Sequence, residues 1–358
     1  LHLSIRRQRQ MCIRDRALEA LLDYARRHKE LWRDEARTYR RYAPSLGLVD
    51  THVLNALDER LVTDESVAIR SIFGERFLLL YWLDKEWTRA RIDQLFSPPS
   101  SDVQLWQATW DAYVSFNRVW RDVYELLRPQ YRRAINQLGL RTDEGQAPSR
   151  SADSLAQHLM IAYWVGLEDL REKEGLLESF YAQAPAEVRS HATWMIWRLL
   201  AERGPAADSK EWRRAKDLWQ ARAAAAEAAD DPTQFADELL GFLQWLDSVP
   251  EDLGALYSLI EAGIPHYDFA RGPGRSLQEF LTRESAQYPL EACKLLSHLL
   301  EGSGESAVAL LRPQETRTIL ERAISSPNPD AVSCAVNAVN RLGEHGVWEY
   351  EALLESVQ

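Results

Sequence analysis

Nearly every long stretch of this chain repeats its apolar side chains every three to four residues, and nowhere does it alternate apolar and polar residues for the length of a strand. Such a pattern buries one stripe of a helix and cannot cover one face of a sheet. Leu18, Leu21, Leu22, Ala25, Leu31, Trp32, Ala36 and Tyr39 form one stripe, predicting a helix over 17–42. Further helices are expected at 51–61, 65–82, 85–96, 103–116 and 119–138. In the second half they are expected at 153–182, 186–202, 209–229, 233–246, 251–262, 276–285, 290–301, 314–325, 329–342 and 347–356. Asn328-Pro329 and Asp231-Pro232 place a capping side chain before a first-turn proline, and Pro185, Pro250, Pro289 and Pro313 sit where a helix can lack an N–H. Asp208 with Glu211, and Ser276 with Glu279, have the spacing of capping boxes. The expected fold class is all-α: an irregular helical-pair solenoid, HEAT-like, with roughly fifteen helices and no β-sheet.

The first residues are read apart from the rest. Arg6–Arg16 spell RRQRQMCIRDR, which resembles the translation of a transposase-type sequencing adapter. Residues 1–16 are therefore expected to be extraneous and unpacked, with coding sequence proper from about Ala17. On this reading the chain is the C-terminal part of a longer protein. Five arginines and one aspartate in that segment carry +4, so the remainder stands at −15 against −11 for the whole. An acidic surface repels phosphate backbones, and nucleic acid is not an expected partner. The rest of the chain divides into an aromatic-rich helical subdomain (17–140), a polar linker or exposed loop (141–152) and a HEAT-like helical repeat subdomain (153–358).

The residues that could carry chemistry are read conservatively. With Cys12 set aside, Cys293 and Cys334 lie far apart in apolar helices; they read as buried hydrophobes of a reducing cytoplasm. No apolar run reaches the ~18 residues that cross a bilayer, so no membrane is expected and the expected location is cytoplasmic. His28, His52, His158, His191, His266, His298 and His345 share no metal-ligand spacing, and no metal or other cofactor is implied. Arg271–Ser276 lacks the lysine and preceding strand of a phosphate loop, so it reads as a turn and a cap. Glu168, Asp169, Glu172 and Glu174 interleave with Arg171 and Lys173 as a solvated helix face does. Trp82, Trp87, Trp106, Trp110, Tyr113, Trp120, Tyr124 and Tyr131 fall close together. Trp106, Trp110 and Tyr113 share one helix face, and Trp120 with Tyr124 is read as repeating the pattern. Core packing is the first reading, and an exposed aromatic groove for a partner helix is the second.

The succession of these stretches resembles a family. It comprises Ser71-Ile72-Phe73-Gly74, Tyr81–Trp87 with Asp84 and Trp87, Trp106–Tyr113 with Trp110 and Tyr113, and Val123–Ile135 with Tyr131. A closing pattern, Asn340-Arg341-Leu342-Gly343-Glu344-His345-Gly346, precedes Glu349–Leu354. Together they are similar to the C-terminal helical region of large bacterial STAND-type NTPases and related sirtuin-linked antiphage defence proteins. The resemblance covers most of 50–358, while Phe242–Leu246 departs from it by carrying fewer aromatics. It implies a non-catalytic sensor or scaffold tail that binds a protein, either a phage-derived trigger or the chain's own upstream NTPase domain. Asp84, Trp87, Trp110, Tyr113, Tyr131, Leu342 and Gly343 are then structural markers, with no catalytic residue among them. The alternative is a self-contained α-helical enzyme using acid/base carboxylates in a bundle cleft.

Overall fold

The computed structural model describes residues 14–31, 51–64, 66–96, 103–139, 150–264, 274–302 and 311–356. Among them every regular element is a helix and none is a strand. The chain forms two compact units, Leu1–His158 and Leu159–Gln358.

In the first unit, helix α1 covers 14–31. It is followed by α2 (Thr51–Thr63), α3 (Val67–Glu75), α4 (Phe77–Leu83), α5 (Lys85–Ala90), α6 (Ile92–Leu95), α7 (Val103–Phe116) and α8 (Arg121–Leu138). Leu18, Leu22 and Ala25 of the expected stripe are buried, whereas Leu21 is half-buried and Leu31, at the end of the described helix, is exposed. Arg14, Asp15 and Arg16, the described part of the 1–16 segment, form its first turn; residues 32–42 lie outside the described residues. Lys29 closes the C-terminal end of α4 by donating to the carbonyl oxygens of Trp82 and Leu83 at 2.7 Å each, where the helix dipole favours a cation. The expected single helices at 65–82 and 85–96 are each split in two. The first break is at Arg76 and the second at Arg91, both with ψ near zero.

Helices α3 and α7 form the closest pair in this unit. Gly74 makes that approach possible, because a Cβ there would sit 2.1 Å from the backbone oxygen of Thr109. Around the pair lies an aromatic core. The rings of Trp106 and Trp110 stack at 5.9 Å, and Phe77, Phe96, Tyr113, Tyr124 and Tyr131 are fully buried beside them. Each such ring removes a large apolar area from water, and edge-to-face contacts add to that burial.

Helix α9 (Arg150–Trp164) straddles the division at His158, because its first half packs against side chains of the first unit. The expected linker 141–152 falls at 141–149 outside the described residues, while Arg150, Ser151 and Ala152 already belong to α9. The second unit continues with α10 (Leu176–Gln183), α11 (Ala186–Arg203), α12 (Lys210–Glu227), α13 (Ala236–Leu243), α14 (Leu253–Gly263) and α15 (Gly274–Glu284). It ends with α16 (Pro289–Gly302), α17 (Pro313–Ile324), α18 (Pro329–Glu344) and a 3₁₀ turn at Glu351–Ser356, which replaces the helix expected at 347–356. Helices α14 to α18 pack on neighbours close in sequence: α15 on α16 and α17, and α16 on α14, α17 and α18. That order is the one expected of stacked helical pairs. Their lengths of 11, 14, 12 and 16 residues from α15 to α18 keep the stack irregular.

Several start signals act as expected. Asn328 accepts from the Asp330 N–H at 2.9 Å and Asp231 from the Thr233 N–H at 3.0 Å. Two capping boxes are corrected. Ser209, not Asp208, caps α12 by accepting from Trp212 N, since it stands immediately before the first helical residue. Ser276 lies inside α15 and donates to Asp247 at 3.0 Å.

The helix expected over 153–182 is also corrected: it stops at Trp164 and resumes at Leu176. Gly166 takes a left-handed φ of 77°. Its N–H reaches the Tyr163 carbonyl and the Leu167 N–H the Ala162 carbonyl, the paired bonds that end a helix on a glycine. Any Cβ at Gly166 would meet the Arg214 guanidinium at 2.3 Å.

Candidate interaction site

The most specific local arrangement in the first unit is the turn 117–120, between α7 and α8. Asn117 holds it by four contacts. Its carboxamide nitrogen donates to the carbonyls of Gly74 and Tyr113 at 3.0 Å each. Its carboxamide oxygen accepts from Leu78 N at 3.3 Å, and its own carbonyl accepts from His158 Nε2 at 2.8 Å. The turn is thereby tied to α3, α4, α7 and the first half of α9. Such a network leaves a short loop little freedom.

His158 is a satisfied core histidine whose tautomer follows from its partners. A carbonyl only accepts, so Nε2 carries the proton toward Asn117. Nδ1 then accepts from the Tyr131 hydroxyl at 2.6 Å, and the Tyr131 oxygen in turn accepts from Tyr113 at 3.3 Å. Burial disfavours the charged ring and lowers its pKa from 6.5 to about 4, against a smaller raising effect of the Asn117 carbonyl. Burial also pushes Tyr113 up to about 12, so its hydroxyl stays protonated at neutral pH.

A pH dependence follows. The unfolded chain binds a proton at this histidine below about pH 6.5 while the folded one does so only below about 4. Its contribution is therefore fully present above 6.5 and is lost as pH falls to 4, worth about 3 kcal/mol over the window. His158→Met should flatten that part of the pH profile. Urea unfolding at pH 7 and pH 4.5 measures it, and equal slopes for the two proteins would remove the histidine from the account.

The same turn presents two large aromatic side chains to solvent. Phe116, the last residue of α7, is 70% exposed and Trp120, the residue before α8, is 52% exposed. They flank the fixed Asn117, with the exposed Arg118 between them and the exposed Arg121 just beyond. Trp120 does not share a face with Tyr124, as the sequence pattern suggested. It adopts an extended backbone (φ −126°, ψ 124°) ahead of the helix, while Tyr124 is fully buried. Nearby, Lys85 lies 3.5 Å from Asp122 and over the Tyr81 ring.

The marker residues fall into three places. Asp84 and Trp87 form one unit: the Asp84 carboxylate caps α5 by accepting from Trp87 N at 2.9 Å, and the Trp87 indole donates to Asp58 at 3.1 Å. Trp110, Tyr113 and Tyr131 come together in the aromatic core, with Trp110 at 5.7 Å from Tyr113 and 5.0 Å from Tyr131. Leu342 and Gly343 lie in the second unit, in the last turn of α18; Leu342 is fully buried and Gly343 lies against the Trp348 ring. Missing from the sequence reading was Asn117, and His158 was named there only as one of seven histidines without metal-ligand spacing; together they fix the turn. An asparagine just past a helix end is a recognisable stop signal, but its partners are distant in sequence.

In the second unit an open concavity of about 810 Å³ lies between the 165–175 loop and α12. Glu168, Asp169 and Glu172 line it with Arg171, Arg214 and Asp217. These carboxylates are thus on a loop and not on a solvated helix face, and Glu168 is buried. Both arginines have protein partners: Arg214 donates to the Trp164 carbonyl at 3.1 Å and Arg171 lies 3.8 Å from Asp217. Among the described residues no helix is long and apolar enough to cross a membrane. The 271–273 part of the glycine-containing turn lies outside the described residues. No family model, curated protein or solved structure matches the chain.

Proposed function

We propose that this chain is a protein-binding helical module that takes an acidic, apolar-anchored segment of a partner protein at the Asn117 turn. The observation that carries the reading is the pairing of exposure with rigidity: Phe116 and Trp120 face solvent on a turn whose backbone is held by Asn117 and His158. Aromatic anchors dominate binding energy at protein interfaces, and presenting them on a fixed turn saves the ordering cost of association. Arg118 and Arg121 supply local positive charge in a chain of net charge −11, which selects an acidic partner segment by complementarity. The resemblance to the helical tails of STAND-type NTPases supplies a context. In it the module senses a phage-derived protein or docks its own upstream domain, without itself being catalytic.

The test is selection of a displayed random-peptide library on the full chain. Enrichment of acidic sequences carrying an aromatic or leucine anchor is expected, and it should vanish on a chain carrying Phe116→Ala and Trp120→Ala. Enrichment that persists on that variant, or selection of basic sequences only, would overturn the reading.

A further inference from the structure

The sequence separates Cys293 and Cys334, and their helices bring them together. Cys293 lies on α16, fully buried, and Cys334 on α18, half-buried; both are free thiols. Ser297 marks the meeting point. Its hydroxyl donates to the Cys293 carbonyl at 3.0 Å, one turn back, and lies 3.6 Å from Cys334 Sγ. With the serine proton spent on that carbonyl, the Cys334 thiol is the donor to Ser297 Oγ. The Cys293 thiol is pushed up in pKa first by its interaction with Cys334 and then by burial. Helix α14 packs on α16, and its Tyr257 hydroxyl donates to Glu261 at 2.5 Å. The two cysteines thus sit at one contact between α16 and α18, on either side of Ser297, and not as two separate apolar fillers.

We infer that Cys293 and Cys334 are a dithiol modification site, oxidised by a hydroperoxide to a disulfide that staples α16 to α18. Cys334, the less buried of the two residues, reacts first. Its sulfur takes the terminal hydroperoxide oxygen to give a sulfenic acid, the peroxide O–O bond breaks, and the alcohol (or water) leaves. The Cys293 sulfur then attacks the Cys334 sulfur; the S–O bond breaks, and hydroxide leaves as water with the Cys293 proton. Two thiols lose two electrons and the hydroperoxide gains them. Full burial of Cys293 disfavours its thiolate and slows the second step, so the site responds to sustained peroxide and not to brief exposure. The cross-link closes a long loop spanning α17, which restricts the unfolded chain and raises the melting midpoint of the second unit by on the order of 10 °C.

The experiment treats the full chain with hydrogen peroxide, blocks remaining thiols with iodoacetamide and maps the peptides without reduction. A peptide pairing Cys293 with Cys334, lost on adding dithiothreitol, is expected, together with a raised melting midpoint that Cys334→Ser abolishes. Because Cys334 is half-buried, the serine variant should fold and melt like the reduced wild type. Alkylation of both cysteines after peroxide, or pairing of either with Cys12 instead, would overturn the inference. So would an oxidised wild type that melts no higher than the serine variant.

Discussion

Replacing Glu238 with glutamine is expected to destabilise the second unit by about 3–5 kcal/mol, although the side chain keeps its size. Glu238 on α13 is fully buried between Arg189 of α11 and Arg222 of α12. Arg189 Nε donates to one carboxylate oxygen at 3.0 Å, and Arg222 donates to both oxygens through Nε and Nη2. The remaining Arg189 nitrogens go to the carbonyls of Ala184 and Gln234 at 2.8 Å each, and the Arg222 guanidinium lies 4.2 Å from the Tyr181 ring centre. Two buried guanidinium groups on one carboxylate leave no spare counter-charge. Neutralising the carboxylate strands both cations in a medium that solvates charge poorly. The loss should appear as a fall of on the order of 10 °C in the melting midpoint of this unit. The exposed pair Arg198–Glu202, bonded at 2.7 Å, is the control: Glu202→Gln should change stability by no more than about 0.5 kcal/mol. Comparable effects at the two sites would mean that burial does not set the strength of the Glu238 cluster.

The second large effect is expected from a single methyl group. In Gly74→Ala the new Cβ would lie 2.1 Å from the Thr109 oxygen and 2.9 Å from its carbonyl carbon. Both are backbone atoms of α7, so no side-chain rotation relieves the clash and α3 must move away from α7. Overpacking of this kind costs about 1–3 kcal/mol, reduced by the better helix propensity of alanine, which is worth about 1 kcal/mol. A net loss of about 1 kcal/mol in urea unfolding is the expected result. The displacement has a second consequence, because the Gly74 carbonyl is one of the acceptors that hold Asn117. Peptide binding at the 117–120 turn should weaken together with stability, whereas Leu31→Ala, at a side chain 67% exposed on α1, should leave both unchanged.

The all-helical architecture was legible in the sequence because apolar periodicity reports which face of a helix is buried, and burial is local to each helix. Proline-led starts such as Asn328-Pro329 were legible for the same reason: the cap and its acceptor lie within a few residues. The end of α9 was missed because Gly166 stops the helix through a left-handed backbone and the Arg214 side chain across it, and Arg214 is on another helix. The carboxylates that follow were therefore placed on a helix face when they line a concavity. The aromatic cluster was legible as core, yet Trp120 was not separable from it. Its exposure depends on standing one residue before α8 rather than inside it. The roles of Asn117 and His158 and the meeting of Cys334 with Ser297 beside Cys293 were invisible for a common reason. Each acquires its role from partners on other helices, and residue spacing carries no information about such pairings.

Binding at the Asn117 turn is the proposal on which the function rests. It is tested most directly by calorimetric titration of the selected acidic peptide into the wild-type chain and into the Phe116→Ala, Trp120→Ala double variant. Both side chains are exposed, so the double variant should melt with the wild type while its affinity falls at least ~30-fold, as loss of two aromatic anchors requires. Equal affinities at equal stability would contradict the account.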